Sequence, residues 1–118
     1  MAARILIVDD DPQFRALART LLQRSGYEVV AEAADAAQAR ALVDSSNPDA
    51  ALIDVQLPDV DGVSLCHKLA EHEGGLRIVL TSTDPTLVPP AILAASGAIA
   101  FVSKENIAVA DLASWLDR

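Results

Sequence analysis

A chain of 118 residues, 52% of them apolar, is long enough to build one compact domain around its own core and too rich in apolar residues to stay disordered. Seventeen acidic residues against nine basic ones give a formal charge of −8, which repels nucleic-acid phosphates and argues against direct nucleic-acid binding. No apolar run is long enough to span a bilayer, no basic and apolar leader precedes Arg4, and the single cysteine, Cys66, has no partner for an internal disulfide; together these fit a cytoplasmic location.

Five short apolar runs recur, at 4–8, 27–31, 50–53, 77–81 and 99–103. They are continuous rather than alternating, the pattern of strands buried on both faces. The first run delivers Asp9, Asp10 and Asp11 in succession. Asp11 is placed to cap a helix with Pro12 at its first position, a stripe of Phe14, Leu17, Ala18, Leu21 and Leu22, and an end at Gly26. A second helix, carried by Ala39, Leu42 and Val43, starts after Asp35 and ends before Asn47 and Pro48. The third run leads into Asp54, within ALIDVQLPDVDG. The helix after it uses Gly62, Leu65, Cys66 and Leu69 and stops at Gly74 and Gly75, with His67 and His72 on or beside its exposed face and no further ligand at zinc spacing.

The fourth run ends in Thr81 and Ser82. Pro85, Pro89 and Pro90 crowd the start of the next helix, so Val88 and Pro89 should be non-helical, Pro90 should be its first residue, and Gly97 should end it after about two turns. The fifth run leads to Lys104, and a last helix is expected on Val109, Leu112, Ala113 and Leu116. At roughly 100° per residue, Trp115 lies about 110° from the centre of that stripe, at the edge of the buried face or outside it.

A β-α unit repeated five times, with short connections and right-handed crossovers, predicts a doubly wound α/β domain over residues 1–118 with a parallel sheet. Ligands of such sheets sit beyond the carboxyl ends of the strands. Four of the five strand ends supply polar groups there: Asp9 and Asp10, Asp54, Thr81 and Ser82, and Lys104. The second ends in Glu32, with nothing obviously chemical about it.

Asp9-Asp10, Asp54, Thr81 and Lys104, with Leu57-Pro58 and Asp61-Gly62 between, resemble the receiver domain of two-component response regulators over essentially the whole chain. The resemblance implies a flavodoxin-like (βα)5 fold with five parallel strands in order 2-1-3-4-5, which brings Asp9, Asp10 and Asp54 together. It implies a phosphorelay receiver in which Asp54 accepts a phosphoryl group from a histidine kinase or a histidine phosphotransfer protein, and no enzymatic activity beyond its own phosphorylation and dephosphorylation. Asp9, Asp10, Asp54 and the Gln56 backbone carbonyl would serve Mg2+. Thr81 would donate to a phosphoryl oxygen, and Lys104 would pair with the carboxylate or the phosphoryl group. Thr81 and Phe101 would form the switch that reshapes the surface of the fourth helix, fifth strand and fifth helix, for a homodimer or an output protein. Phe101 lacks the hydroxyl of the tyrosine often found at its position.

The same resemblance makes Gln56 and Thr83, each two residues beyond a site residue, modulators of phosphoaspartate lifetime. Arg15 and Arg19, on the polar face of the first helix, would meet the kinase or phosphotransfer protein. Trp115 reads equally as a partner hot spot or as a cover for the flank of its own helix. Glu105 stands where a proline often follows the lysine, so a trans bond is expected. Two rivals stay open: a haloacid-dehalogenase-like phosphatase with Asp9 as nucleophile, and a receiver-like interaction module that is never phosphorylated. A stand-alone receiver and a piece of a longer protein are both compatible with a chain that stops just after its last helix.

Overall fold

The computed structural model describes residues 3–71 and 75–116. Five parallel strands, β1 (Arg4–Val8), β2 (Glu28–Ala33), β3 (Ala50–Asp54), β4 (Arg77–Ser82) and β5 (Ala100–Ser103), form one sheet in the order β2-β1-β3-β4-β5. Helices α1 (Pro12–Arg24), α2 (Ala36–Ser46), α3 (Gly62–Ala70), α4 (Pro90–Ser96) and α5 (Ala113–Leu116) alternate with them. Among the described residues no helix is long and apolar enough to cross a membrane.

Successive side chains of a strand point to opposite faces, and here each face has its own core. Leu6, Val8, Ala51, Ile53, Ile78 and Leu80 pack with residues of α2 and α3, whereas Ile5, Ile7, Leu52 and Val79 pack with Phe14, Ala18 and Leu22 of α1 and with Leu112 and Leu116. The unbroken apolar runs are the direct result. Each fully buried aliphatic side chain contributes about 1.5–3 kcal/mol, so β1 and β3 are the most firmly held elements and the polar groups at their ends are rigidly placed.

Much of the acidic surplus serves helix starts. Asp11 accepts the Gln13 N–H at 2.9 Å, Asp35 the Gln38 N–H at 2.8 Å and Asp61 the Ser64 N–H at 2.9 Å. Asp84 does the same for Thr86, at 2.9 Å, in the 3-10 turn Pro85–Leu87. Each cap satisfies a donor the helix itself cannot, worth about 1 kcal/mol. The proline expectation for α4 holds: Pro89 is extended, Pro90 opens the helix, and Gly97 ends it at φ 88° after seven residues.

Three expectations need correction. Leu17 is 47% exposed, because Phe14, Ala18 and Leu22, spaced four apart, already fill the contact of α1 with the sheet. The last helix is confined to Ala113–Leu116, and Val109, expected on its buried stripe, is 83% exposed. Ile107, Leu112 and Leu116 reach the core instead, from a segment that first makes a 3-10 turn at Lys104–Asn106. Finally, α3 ends at Ala70 with Glu71 closing it; Gly74 and His72 lie outside the described residues.

Gly62 opens α3 against the end of β3. A Cβ on it would lie 2.0 Å from the Asp54 carbonyl oxygen and 2.7 Å from the Val55 Cα, both backbone atoms that cannot swing aside. Gly62→Ala is therefore expected to destabilise the fold by about 2–3 kcal/mol, seen as a lower urea midpoint. An unchanged midpoint would show that the loop yields freely.

Candidate functional site

The sheet order places β1 beside β3, and Val8 is level with Ile53, so the residues that follow, Asp9 and Asp54, emerge side by side. Asp54 is in turn level with Thr81 on β4, and Thr81 with Val102 on β5. Asp9 and Asp54 are buried, at 1% and 3% exposure, while Asp10 is exposed. One carboxylate oxygen from each of the three lies within 4.8 Å of the others.

Two buried carboxylates this close repel and need compensation. Lys104 supplies it. Its Nζ lies 2.7 Å from Asp9 Oδ2 and 3.2 Å from Asp54 Oδ2, and 4.7 Å from the centre of the Phe14 ring, within cation–π range. The second oxygen of each acid is held by the backbone: Asp9 Oδ1 accepts the Asp11 N–H at 2.9 Å, and Asp54 Oδ1 accepts the Gln56 N–H at 3.0 Å. Burial pushes the Asp9 carboxyl above its ordinary range, against the pull of Lys104 and the Asp11 N–H, and the charge of Asp54 adds to the rise. Burial works against the Lys104 ammonium, but Asp9 and Asp54 outweigh it and hold its pKa above the ordinary lysine value.

The donor set fits a hard divalent cation. Three carboxylates against one ammonium leave the rim net negative, and oxygen ligands with room for retained water are what Mg2+ prefers. Among the described residues the buried hydroxyls of Thr81 and Ser103 make no hydrogen bond, and that of Thr81 belongs to the residue level with Asp54. Leaving a buried hydroxyl unmatched costs about 1–3 kcal/mol, which marks Thr81 as a group with a task besides packing.

The other sequence candidates fall around this centre. Gln56 and Thr83 are exposed. Phe101 is half-buried against the first core, level with Leu80. Trp115 is half-buried against the second core, and its carbonyl accepts a hydrogen bond from Arg77. The Lys104–Glu105 bond is trans. Cys66 is fully buried, and burial pushes its thiol up to about 11, so it behaves as a small hydrophobe.

Arg15 and Arg19 do not stand free on the polar face of α1. Arg15 Nε lies 3.3 Å from Glu32 Oε1, Arg15 donates to the Asp9 carbonyl at 2.6 Å, and Arg19 Nε donates to Glu32 Oε2 at 2.7 Å. Glu32, for which the sequence suggested no role, thus holds both guanidinium groups, of which that of Arg15 also reaches the first acid of the site. Its level with Ile7 on β1 was the available signal once the strand order was in hand. Asp59 was also missed: its Oδ1 accepts the Ala36 N–H at 3.0 Å and its Oδ2 the Ala37 N–H at 3.1 Å. Those N–H groups, Ala36 first, hold its carboxyl below the ordinary range.

A raised carboxyl pKa in the fold is a stability lost as pH rises through it. With cations chelated, Asp9→Asn should raise the melting temperature at pH 7, and the gain should shrink as pH falls toward the ordinary carboxyl range, where Asp9 protonates unaided. Thermal scans of both proteins across that window check this; a lower melting temperature for the variant at pH 7 would show that the Lys104 pair outweighs burial.

The family model for the response regulator receiver domain matches residues 5–116. Chemotaxis protein CheY of Bacillus subtilis is 37% identical over 82 residues, covering 70% of this chain and 68% of that protein. The crystal structure of a two-component response regulator of the LuxR family from Aurantimonas sp. SI85-9A1 has a TM-score of 0.84 at 32% identity, covering 97% of this chain and 81% of that one. Response regulator protein TrrA of Thermotoga maritima, crystallised in complex with Mg2+-BeF, has a TM-score of 0.75 at 27% identity, covering 87% of this chain and 86% of that one. This chain spans about half the length of a Pseudomonas aeruginosa relative, 51%, to which it is 36% identical over 107 residues. By its matched residues, its strand order and the acids gathered at its strand ends, the chain belongs to the response regulator receiver domain family.

Proposed function

We propose that Asp54 is the phosphoacceptor of a phosphorelay, taking its phosphoryl group from the phosphohistidine of a histidine kinase or a histidine phosphotransfer protein. The observation that carries this is the setting of Asp54: a buried carboxylate at the end of a central strand, one oxygen on a backbone N–H, the other on Lys104, with two further acids beside it. An oxygen of Asp54 attacks phosphorus, the P–N bond to the donor imidazole breaks, and that nitrogen keeps the electron pair and takes up a proton. In such transfers positioning and charge neutralisation do most of the work.

Asp9, Asp10, Asp54 and the Gln56 carbonyl would hold Mg2+, which supplies neutralisation of the phosphoryl oxygens when bound. The Mg2+-BeF complex of TrrA supports this assignment. Lys104, already shared by two acids, moves its pairing toward the new oxygens, and the Thr81 hydroxyl gains an acceptor it otherwise lacks. Thr81 sits level with Val102, next to Phe101, so its shift passes to β5. The half-buried Phe101 ring answers by changing rotamer, and the surface of α4, β5 and α5 presents a new face to an output protein or a second copy. On this reading the chain catalyses only its own phosphorylation and dephosphorylation. The donor protein meets α1, where Leu17 is exposed near Arg15 and Arg19.

Incubation with a small phosphodonor and Mg2+, followed by intact-mass analysis, should show one phosphoryl adduct on the parent chain and none on Asp54→Asn. An adduct that survives in the variant would place the chemistry elsewhere, at Asp9 in the phosphatase alternative.

Gln56 and Thr83 flank the acceptor from exposed positions, where a side chain can orient or exclude the water that hydrolyses the phosphoaspartate. Losing one orienting hydrogen bond of about 0.5–1.5 kcal/mol corresponds to about a two- to tenfold change in rate. Gln56→Ala should lengthen the phosphoaspartate lifetime by about that factor; equal lifetimes in the two proteins would remove Gln56 from the reaction.

A further inference from the structure

The Gln56 N–H and carbonyl lie at the start of the loop that joins β3 to α3, so whatever holds this loop holds the acceptor. Its inner part is well tied. Val55 N–H donates to the Thr81 carbonyl at 2.9 Å, Gly62 N–H to the Val55 carbonyl at 2.7 Å, and Gln56 and Asp61 form an isolated antiparallel bridge. The outer part is different: Pro58, Asp59 and Val60 are exposed. It reaches the body of the protein through the Asp59 carboxylate, whose two oxygens take the N–H groups of Ala36 and Ala37, 23 and 22 residues away in the chain.

That fork is not needed to start α2. Asp35 already caps the helix on Gln38 N–H, and the Gln38 side chain accepts the Ala34 N–H at 2.9 Å, so the helix start is served from its own sequence. The donors Asp59 takes belong to the first turn, and water can replace it at the exposed one, Ala37. On the loop side Leu57 packs in part against the core, and the Asp59 carboxylate supplies the hydrogen bonds to α2. A bidentate grip on two successive N–H groups also fixes direction as well as distance, since both oxygens must stay in place together.

We propose that Asp59 is a positioning residue: by clamping the outer arm of the β3–α3 loop to the first turn of α2 it fixes Gln56, and through Gln56 the orientation of the Asp54 carboxylate and the cation-binding carbonyl. This rests on the reading of the strand-end acids as a Mg2+ site. Asp59 touches no reacting atom; it acts through the loop.

The test compares Asp59→Ala with Asp35→Ala, a variant that weakens the same helix start and leaves the loop alone. Asp35 is the N-cap of α2 and Asp59 is an exposed loop residue, so neither substitution empties the core. Two readouts are taken on the folded proteins: Mg2+ affinity by titration calorimetry with MgCl2, and hydrogen exchange of the Gln56 amide by NMR. Asp59→Ala should weaken Mg2+ binding about threefold or more and speed Gln56 exchange by a similar factor, while Asp35→Ala leaves both near the parent values. Unchanged Gln56 exchange in Asp59→Ala, unchanged Mg2+ affinity in it, or equal effects from Asp35→Ala would each overturn the proposal. A parent chain that takes up no Mg2+ would instead overturn the cation reading, and Gln56 exchange would still decide whether the clamp acts.

Discussion

The ammonium of Lys104 sits between two buried carboxylates, and the carboxyl edge of the sheet depends on it. Two like charges about 4 Å apart interact by about 4 kcal/mol at an effective dielectric of about 20, and a domain of this size is stable by only about 5–15 kcal/mol in total. The repulsion between Asp9 and Asp54 is therefore not a local detail. One lysine, reaching from the end of β5 across to β1 and β3, makes the strand order tolerable, and it can do so only because β4 and β5 follow β3 in the sheet. Phe14 beneath it ties the same charge to α1, so four elements meet at one nitrogen.

The acids of this chain divide into two populations with different physics. Asp11, Asp35, Asp61 and Asp84 are helix or turn caps, held by backbone N–H groups near their own position in the chain. Asp9 and Asp54 are strand-end acids, buried by the apolar runs that precede them. Between the two stand Glu32 and Asp59, which use their charge to join segments distant in sequence: Glu32 gathers two arginines of α1 against β2, and Asp59 joins the β3–α3 loop to α2. A net charge alone could not separate these roles.

What could be read beforehand follows from the range of the interactions involved. Strands buried on both faces leave an unbroken apolar run, and caps lie within three residues of what they cap, so the sheet, the first four helix starts and Pro89 and Gly97 at the ends of α4 were all visible, although the edge strand β2 is only partly buried. The residues gathered at the strand ends were visible because parallel β-α topology sends every such residue to one edge. Glu32 and Asp59 were not, since their partners are chosen by strand neighbours and loop paths that no local pattern records. Leu17 misled because helical periodicity says which residues share a face, but the sheet beneath decides how wide a face is covered, and Val109 misled because the periodic stripe runs on where the chain is not helical.

The shortness of α4 has a consequence for how the domain stores its states. At seven residues it is well below the roughly 12–15 at which a helix holds in water unaided, and Ser96 is the one fully buried residue along it. Its hold on the body is light, while the sheet beneath is among the most firmly packed parts of the molecule. Such a segment belongs to the low end of the local-unfolding spectrum, able to shift, fray or re-dock without disturbing the cooperative unit that carries it. A coupling of only 1–3 kcal/mol, the usual size of an allosteric link, is enough to redistribute a segment held that loosely. The proline pair and the glycine that bound α4 thus limit any such redistribution to two turns of helix.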